Sequence, residues 1–559
     1  MIIGLDVGGT HVDAVLLKDN RVLRQAKAPT GTGDLLRPIH TALDSLLAGI
    51  APRVVKQVNL STTVCTNAIV EGKVAAVGML LESGPGVDPS HLACSEATYF
   101  LSGAVDHRGR ETAPVDHREV EQAARELQKK GIRHVGVVGK FSARNPDHEL
   151  EIGRYLTNRF TKVTLGHTLS GRLNFPRRVY STYLNVAVSD VYAGFAAAVR
   201  SSFHQKGLTA PVHILKADGG TLTLDASLAS PVETILSGPA ASIMGVLALC
   251  AIASDAVVLD IGGTTTDIAL LADGVPLLEP RGIRIGSYPT LVRALLARPV
   301  GVGGDSRVQV IDGRLQVGPH REGPAVALGG LAPTPTDALV ALGMVDLGNR
   351  ELALHAMAGL GKIMGLDAPA AARRVFQETV DLITKGIGET ITDVNSRPAY
   401  TVREVLMGRT IQPTRVIVIG GPAEAMAPAL GERLRLPVMV PPYSGVANAV
   451  GAAASKTTAE LTLLADTARG ILTVPEEGLT EKAPAGFSLG QARTRALELL
   501  KHRAVRMGAG PEGLELEILE EQSFNMVRGF STAGKDIRVK AQVKPGVQAK
   551  LTVGGEERC

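Results

Sequence analysis

The sequence predicts an α/β protein of two lobes built on one duplicated plan, with a small α+β appendage at its end. Three observations carry this reading. One phrase is used twice: Leu5-Asp6-Val7-Gly8-Gly9-Thr10 leads to Asp13 and apolar Ala14-Val15-Leu16-Leu17, and half a chain later Leu259-Asp260-Ile261-Gly262-Gly263-Thr264 leads to Asp267 and Ile268-Ala269-Leu270-Leu271. Between and around these copies, short apolar runs alternate with amphipathic helical stretches, as in a sheet with helices on its faces. Beyond residue 456 the pattern changes to one amphipathic helix and alternating strands. The boundaries expected are 1–174 for the first lobe, 175–455 for the second with a Gly/Pro-rich insertion around 282–335, and 456–559 for the appendage.

Each copy of the repeated phrase reads as a buried strand that ends on an aspartate, turns through two glycines and returns as a second apolar strand. Glycines without a Cβ let backbone N–H groups approach phosphate oxygens, and they accept the positive φ that tight turns often need. Thr10, Thr264 and Thr265 add hydroxyl donors. Asp6 and Asp260, at the carboxyl ends of their strands, are placed to hold a hydrated Mg²⁺, which takes a few carboxylates and keeps most of its waters. A single Gly-Gly turn after a strand is common and says little. Two at half-chain spacing imply a pair of loops offered to opposite ends of a nucleoside triphosphate.

The remaining elements follow in order. Val54–Leu60 and Ala75–Leu81 read as strands, the first followed by the polar turn Ser61-Thr62-Thr63. Helical periodicity runs from Asp116 to Lys130, Gly131 stops it, and Val135–Val138 is the next strand. After Phe175-Pro176, a long helix over Tyr183–Gln205 leads to strand Val212–Lys216 and the turn Ala217-Asp218-Gly219-Gly220. Ser237-Gly238-Pro239-Ala240-Ala241-Ser242 heads a helix whose small residues suit either an anion at its terminus or a tight packing contact. A helical region resumes from Asp337 through about Asp393, and Val416–Ile419 ends in Gly420-Gly421, where adenine and ribose could lie against backbone. A small-residue helix covers Gly445–Ser455, and the appendage contains a helix over Leu489–Met507 with strands Leu514–Leu519 and Asp536–Val543.

Composition narrows the function. A chain of 559 residues has room for several cores, and its 45% hydrophobic and 20% charged residues are those of a water-soluble globular protein. A net charge of +4 and 3% aromatic residues without Trp give little attraction for nucleic acid and few platforms for stacking bases. Cys65, Cys94, Cys250 and Cys559 form no paired or Cys/His pattern, so reduced thiols are expected rather than a disulfide framework or structural zinc. Strand Ile2–Leu5 leaves no room for a signal segment, and the apolar Ile243–Ala253 is too short to cross a bilayer. A cytoplasmic protein without membrane contact is expected.

Two Asp-x-Gly-Gly-Thr hairpins with a late Gly-Gly strand end resemble the actin, sugar-kinase and Hsp70 superfamily of ATP-binding folds. The fold implied is the duplicated, two-lobed actin-like (ribonuclease H-like) ATPase. Within it the chain is similar to the hydantoinase/oxoprolinase A family. That resemblance rests on Asp6–Thr10 with Asp13, Ser61–Ala68, Asn145-Pro146-Asp147-His148-Glu149, Ala217–Gly220, Ser237–Ala240, Asp260–Asp267, Pro335–Ala338, and Pro441-Pro442 followed by Ser444–Ala447.

The resemblance implies ATP- and Mg²⁺-dependent opening of a small cyclic amide, of 5-oxoproline or hydantoin type, through phosphorylation of its carbonyl oxygen. A nucleotide-binding subunit of a ketone carboxylase, a small-molecule kinase and an ATP-driven activator are the alternatives. It also implies an oligomer and a partner chain of the B type. Asp6 and Asp260 would bear on the metal, with Asp267 orienting water or substrate. Gly8, Gly9, Thr10, His11, Gly262, Gly263, Thr264 and Thr265 would line the phosphates, and Gly420 and Gly421 would approach adenosine. Thr63, Thr66, Asn67, Asp218, Ser237, Gly238 and Asp305 are candidates for the substrate side. Thr63, Thr66 and Asn67 serve equally to cap the next helix, His11 to face solvent, and Asp13 to be an exposed strand carboxylate. Cys65 without an adjacent His reads as packed sulfur rather than a nucleophile, and His148-Glu149 reads as a helix opening rather than a metal or acid/base pair.

The chain departs from the family pattern in three places. Gly303-Gly304-Asp305-Ser306 stands where three glycines precede serine, Gly318-Pro319-His320-Arg321 replaces a glycine- and serine-bearing loop, and the appendage after 456 replaces a long extension. These changes bear on substrate more than on nucleotide, since a carboxylate at Asp305 alters the charge a substrate meets.

Overall fold

The computed structural model describes residues 1–30, 36–397, 410–548 and 550–552. Two mixed sheets repeat one plan. In the first, the order is Thr221–Thr223, Val212–Leu215, Gln57–Thr62, Ile2–Val7, His11–Lys18, Arg21–Pro29. In the second, Val438–Met439, Arg415–Ile419, Ala256–Ile261 and Thr266–Ala272 stand side by side, and Thr266–Ala272 then pairs with both Ala297–Val300 and Val275–Pro276. Each sheet thus has a three-stranded antiparallel meander whose first strand pairs in parallel with a later strand. The central strands are buried on both faces, which is why they read as unbroken Val/Ile/Leu runs.

Two small-residue helices, Ser237–Leu249 and Ala447–Ala454, are wedged between the sheets. Their closeness explains their composition. A Cβ on Gly451 would stand 1.9 Å from the Ala241 carbonyl oxygen, one on Gly245 2.1 Å from that of Ala447, and one on Gly4 of the first strand 2.1 Å from that of Ala449. The helices therefore touch each other, and Ala447–Ala454 touches the first sheet, backbone to backbone. Asn59 locks this contact by donating to the carbonyls of Ala452 and Ala453 at 2.8 and 3.2 Å.

A third, all-parallel sheet of Lys162–Leu165, His134–Gly139, Val77–Glu82 and Thr98–Phe100 belongs to the first half. The appendage is a five-stranded antiparallel sheet, including the hairpin Leu516–Arg528/Ser531–Val543, under helix Leu489–Arg506. That helix opens with a capping box between Ser488 and Gln491, and its Ala492, Ala496, Leu500 and Ala504 are buried at helical spacing.

Several expectations are corrected. The helix expected over Tyr183–Gln205 is two, Phe175–Ala187 and Ser189–Gln205, broken at Val188. The first sheet takes strands from Val212–Leu215 and Thr221–Thr223, so it runs past the boundary at 174. The stretch 282–335 is not merely an insertion, because its Ala297–Val300 completes the second meander. Ser61 and Thr62 are inside strand Gln57–Thr62 rather than in a turn, and helix Val64–Val70 follows at once. The helical region after Asp337 is three helices, Pro335–Ala341, Arg350–Met364 and Ala368–Asn395.

Candidate active site

The repeated hairpins are matched residue for residue. Asp6 stands opposite Asp13 and Asp260 opposite Asp267. The turns close alike, Gly8 N–H donating to the His11 carbonyl and Gly262 N–H to the Thr265 carbonyl, each at 3.0 Å. The two strand ends approach each other, since Asp6 and Asp260 lie close enough for their charges to interact. Asn448, near the start of helix Ala447–Ala454, stands between them: its amide donates to Asp260 Oδ2 at 3.2 Å and also hydrogen-bonds Asp6. Ser242 Oγ donates to the same Asp260 oxygen at 2.5 Å.

Burial, then the charge of Asp13, raises the Asp6 carboxyl to about 7, with Asp260 adding to the rise and Ser61 and Asn448 opposing it. Burial and then Asp260 raise Asp267 to about 7. Asp13 is raised by burial too, but Lys27 opposes the rise, with its ammonium 3.1 Å from Asp13 Oδ1. Lys27 also reaches the Gly445 carbonyl of the other lobe at 3.2 Å. The His11 imidazole is held below its usual range by partial burial and by Lys27.

These residues fit a hydrated cation. Four carboxylates repel one another in a desolvated cleft, and Asp6 Oδ1 is buried with no hydrogen-bond partner among the described residues. Among the described residues no three His, Cys, Asp or Glu groups are clustered to ligate an ion directly. Contact through one or two carboxylates and retained waters is the mode Mg²⁺ prefers.

One part of the glycine expectation is corrected. Gly8, Gly9, Gly262 and Gly263 are absent from the positive-φ positions, so their turns do not need left-handed backbone. Space bears on Gly263, where a Cβ would stand 2.8 Å from Asp305 Oδ2, while Gly9 faces open room. Gly420 does adopt φ 100°, and a Cβ there would meet the Ile261 carbonyl at 2.3 Å and Asp260 Oδ1 at 3.0 Å. Gly421 has nothing near its Cβ position. The Gly-Gly strand end thus lies beside Asp260.

The substrate candidates divide. Thr63, Thr66, Asn67, Ser237 and Gly238 meet at the junction of strand Gln57–Thr62 and helix Ser237–Leu249, beside Asp6, whose strand partner is Ser61. Ser237 is fully buried, donating to the Thr62 carbonyl at 2.9 Å and accepting from Thr62 N–H at 3.3 Å. Thr66 Oγ1 accepts from Leu236 N–H at 3.1 Å, Thr63 Oγ1 donates to the Val7 carbonyl at 3.4 Å, and Asn67 is exposed. The nearest atom to a Gly238 Cβ is Thr63 Cγ2 at 3.9 Å. Asp218 lines a separate cavity with Lys216, Glu233 and Arg293, and its oxygens accept from Lys216, Gly220 N–H and Thr458 Oγ1. Asp305 does reach the cleft, where its N–H donates to the Gly263 carbonyl at 2.6 Å and its Oδ2 accepts from Arg321 Nη2 at 3.0 Å.

Other motif residues make contacts within the fold. Cys65 is fully buried, and burial pushes its thiol up to about 12. Glu149 is in the first turn of helix Asp147–Thr157 and accepts from Gly139 N–H and His167 N–H, so it braces two segments. Asp337 completes a capping box with Thr334 and accepts from the backbone of Val326 and Ala327. The sequence reading missed Lys27 and Asn448, and gave Ser242 only as one of the small residues heading a helix. No local pattern marks them, because each acts on a partner distant in sequence or on a neighbouring strand.

The relatives agree with the motifs. A model of the hydantoinase/oxoprolinase N-terminal region matches residues 2–160, and one of hydantoinase/oxoprolinase matches 178–461. The chain belongs to the hydantoinase/oxoprolinase family. Among relatives of this family, the alpha subunit of caprolactamase from Pseudomonas jessenii is 25% identical over 459 residues, covering 75% of this chain and 64% of that one. The 5-oxoprolinase of Saccharomyces cerevisiae is 24% identical over 526 residues, covering 82% of this chain and 38% of that enzyme. This hydantoinase/oxoprolinase chain thus spans less than two thirds of the length of either relative. Its fold matches the nucleotide-free structure of acetone carboxylase with TM-score 0.73 at 16% identity, over 100% of this chain and 89% of that one. It matches the P. jessenii ATP-dependent caprolactamase structure with TM-score 0.69 at 20% identity, over 97% and 87%. Among the described residues no helix is long and apolar enough to cross a membrane.

Proposed function

We propose that this hydantoinase/oxoprolinase-family chain uses ATP to open a small cyclic amide of the 5-oxoproline or hydantoin type. The observation that carries the reading is the matched pair of turns whose Asp6 and Asp260 approach each other, with Asn448 between them. The amide carbonyl oxygen would attack the γ-phosphorus as the bond to ADP breaks, and ADP keeps the electron pair. Water would then add to the activated carbon and give up a proton, the ring C–N bond would break with a proton passing to nitrogen to leave an acyl phosphate, and a second water would hydrolyse that acyl phosphate to carboxylate and free phosphate. ATP is needed because an amide carbonyl is a weak electrophile until its oxygen becomes a leaving group.

The chain's own groups have defined tasks in this scheme. Gly8, Gly9, Thr10, His11 and Gly262, Gly263, Thr264, Thr265 would grip the polyphosphate with N–H and hydroxyl donors. Gly420 and Gly421 would flank adenosine. Asp6 and Asp260 would hold Mg²⁺ through its waters, and that ion would supply charge to offset the phosphoryl oxygens. Asp267, with a carboxyl at about 7, is suited to take the proton of an attacking water near neutral pH. Thr63, Thr66, Asn67 and Gly238 would face the ring. Because a relative is named as the alpha subunit of caprolactamase, a partner subunit of the B type is part of the proposal.

The test is ADP release by the chain, alone and with its co-purifying partner, across oxoproline, hydantoins, dihydropyrimidines and small ketones. Lactam-stimulated release with solvent ¹⁸O entering a new carboxylate is expected. A stable phosphorylated product without ¹⁸O would replace this reading with that of a kinase, and stimulation by ketones alone with that of a carboxylase subunit.

A further inference from the structure

Two of the three places set apart in the sequence analysis, those of Asp305 and Arg321, meet in the structure. Asp305 Oδ2 accepts from Arg321 Nη2 at 3.0 Å. Arg321 ends the hairpin Ser306–Ile311/Arg314–Arg321, opposite Ser306. The base of this hairpin is fastened to the second phosphate turn at three successive carbonyls. Gly304 N–H donates to Gly262 at 2.9 Å, Asp305 N–H to Gly263 at 2.6 Å, and Ser306 Oγ to Thr264 at 3.4 Å. From the opposite lobe, His11 lies within electrostatic range of both Asp305 and Arg321. The guanidinium therefore lies beside the second turn and within electrostatic range of His11 of the first, on a hairpin whose base is hydrogen-bonded to the second turn.

A lone carboxylate this close to a phosphate loop would repel the nucleotide. Pairing with arginine removes that obstacle, but arginine offers more than neutralisation. It has five N–H donors, and among the described residues Asp305 is the acceptor it reaches. Its planar fork suits bidentate contact with phosphoryl oxygens.

We infer that Arg321 is an arginine finger supplied in cis: it contacts the transferring phosphoryl group, and Asp305 is the positioning residue that parks it beside the second turn. The inference rests on the reading of the cleft as an ATP site. As the bond to ADP breaks, charge accumulates on the non-bridging oxygens, and a second cation from the lobe that carries Asp260 offsets it. Asp305 keeps its hydrogen bond to Nη2 while the remaining N–H donors of the guanidinium turn to the phosphoryl group.

The test uses the full chain and needs no substrate. Binding of ADP and of ADP with aluminium fluoride, in the presence of Mg²⁺, is measured by calorimetry for the wild type, Arg321→Ala, Arg321→Lys, Asp305→Asn and the double variant Arg321→Ala with Asp305→Asn. The wild type is expected to prefer the fluoride complex by about 100-fold or more, as for a transition-state mimic. Arg321→Ala, which leaves Asp305 unpaired, should weaken ADP and lose most of that preference; adding Asp305→Asn should restore ADP affinity without restoring the preference, and Arg321→Lys should be intermediate because it keeps charge without the fork. Asp305→Asn should retain most of the preference. Unchanged preference in Arg321→Ala, with ADP still bound, overturns the inference and leaves the ATP reading standing. A wild type that binds no adenine nucleotide removes the ATP reading and the inference with it. Thermal unfolding of each variant checks the fold, and a hairpin that melts in Arg321→Ala but not in Arg321→Lys moves the decision to the lysine variant, whose full preference would overturn the inference.

Discussion

The two Gly-Gly hairpins share topology, register and paired aspartates, yet their third strands make them chemically different. Lys27 stands opposite Asp13, whereas Pro299 stands opposite Asp267. Asp13 is thus given a cation 3.1 Å away, while Asp267 is left with burial and the repulsion of Asp260. Duplication supplied two equal sites, and one cross-strand neighbour in each made them unequal. A carboxylate neutralised in place can hold geometry, whereas one without a cation is free to exchange a proton. The proline is tolerated because Ala297–Val300 forms the outer strand of its meander, where a missing N–H leaves no ladder broken.

The most severe break of this comparison is Asp260→Ala, which should lower substrate-stimulated ADP release by at least about 1,000-fold while thermal unfolding stays near that of wild type. Unchanged turnover would remove the metal role from the second hairpin. The contrast itself is read from Asp267→Asn against Asp13→Asn. Loss of a general base costs roughly 100-fold or more, so Asp267→Asn should lower kcat by that much and Asp13→Asn by about tenfold or less. The opposite order would exchange the roles of the two hairpins.

Placing a cation opposite Asp267 sharpens the same point. With Asp267 raised to about 7, the required carboxylate is lost as pH falls through 7, so kcat should decline on the acid side of neutrality. Pro299→Lys should favour the carboxylate and move that limb to lower pH, by about one unit for a close opposite charge. A pH–rate profile that does not move would show that Asp267 is not the group being titrated.

The smallest effect lies outside the cleft and separates stability from chemistry. His148 is buried between Glu82 and Glu111, and its hydrogen bond to Glu82 leads the rise of its imidazole to about 9. A raised histidine stabilises the fold fully below its unfolded value of 6.5, and this contribution is lost as pH rises through 9. Urea unfolding should weaken by on the order of 1–3 kcal/mol across that window, and His148→Gln should flatten the dependence. Neither change should follow the kcat profile.

Much of the scaffold was legible because it is written locally. The period of apolar residues marked both hairpins, and Asp116 and Gly131 bracketed a helix observed at His117–Lys129. Gly420 was marked by following an apolar strand. The side-chain roles were less legible. Ser237 and Asp218 look like ligands in sequence; the structure bonds one to Thr62 and sets the other in a separate cavity with Lys216. Asn448 looks like one residue of an alanine-rich helix, yet it links Asp6 and Asp260.

The sequence by itself determined the duplication, the two phosphate-type turns, their aspartates and the family. Those features depend on neighbours a few residues apart, where sterics and hydrophobic period act directly. Only the tertiary structure decided that Asp6 and Asp260 approach each other, that Lys27 separates Asp13 from Asp267 in behaviour, and that Arg321 stands beside the second turn. These facts arise from charges and donors brought together across strands and lobes, and the strength of such contacts depends on burial and distance rather than on order along the chain.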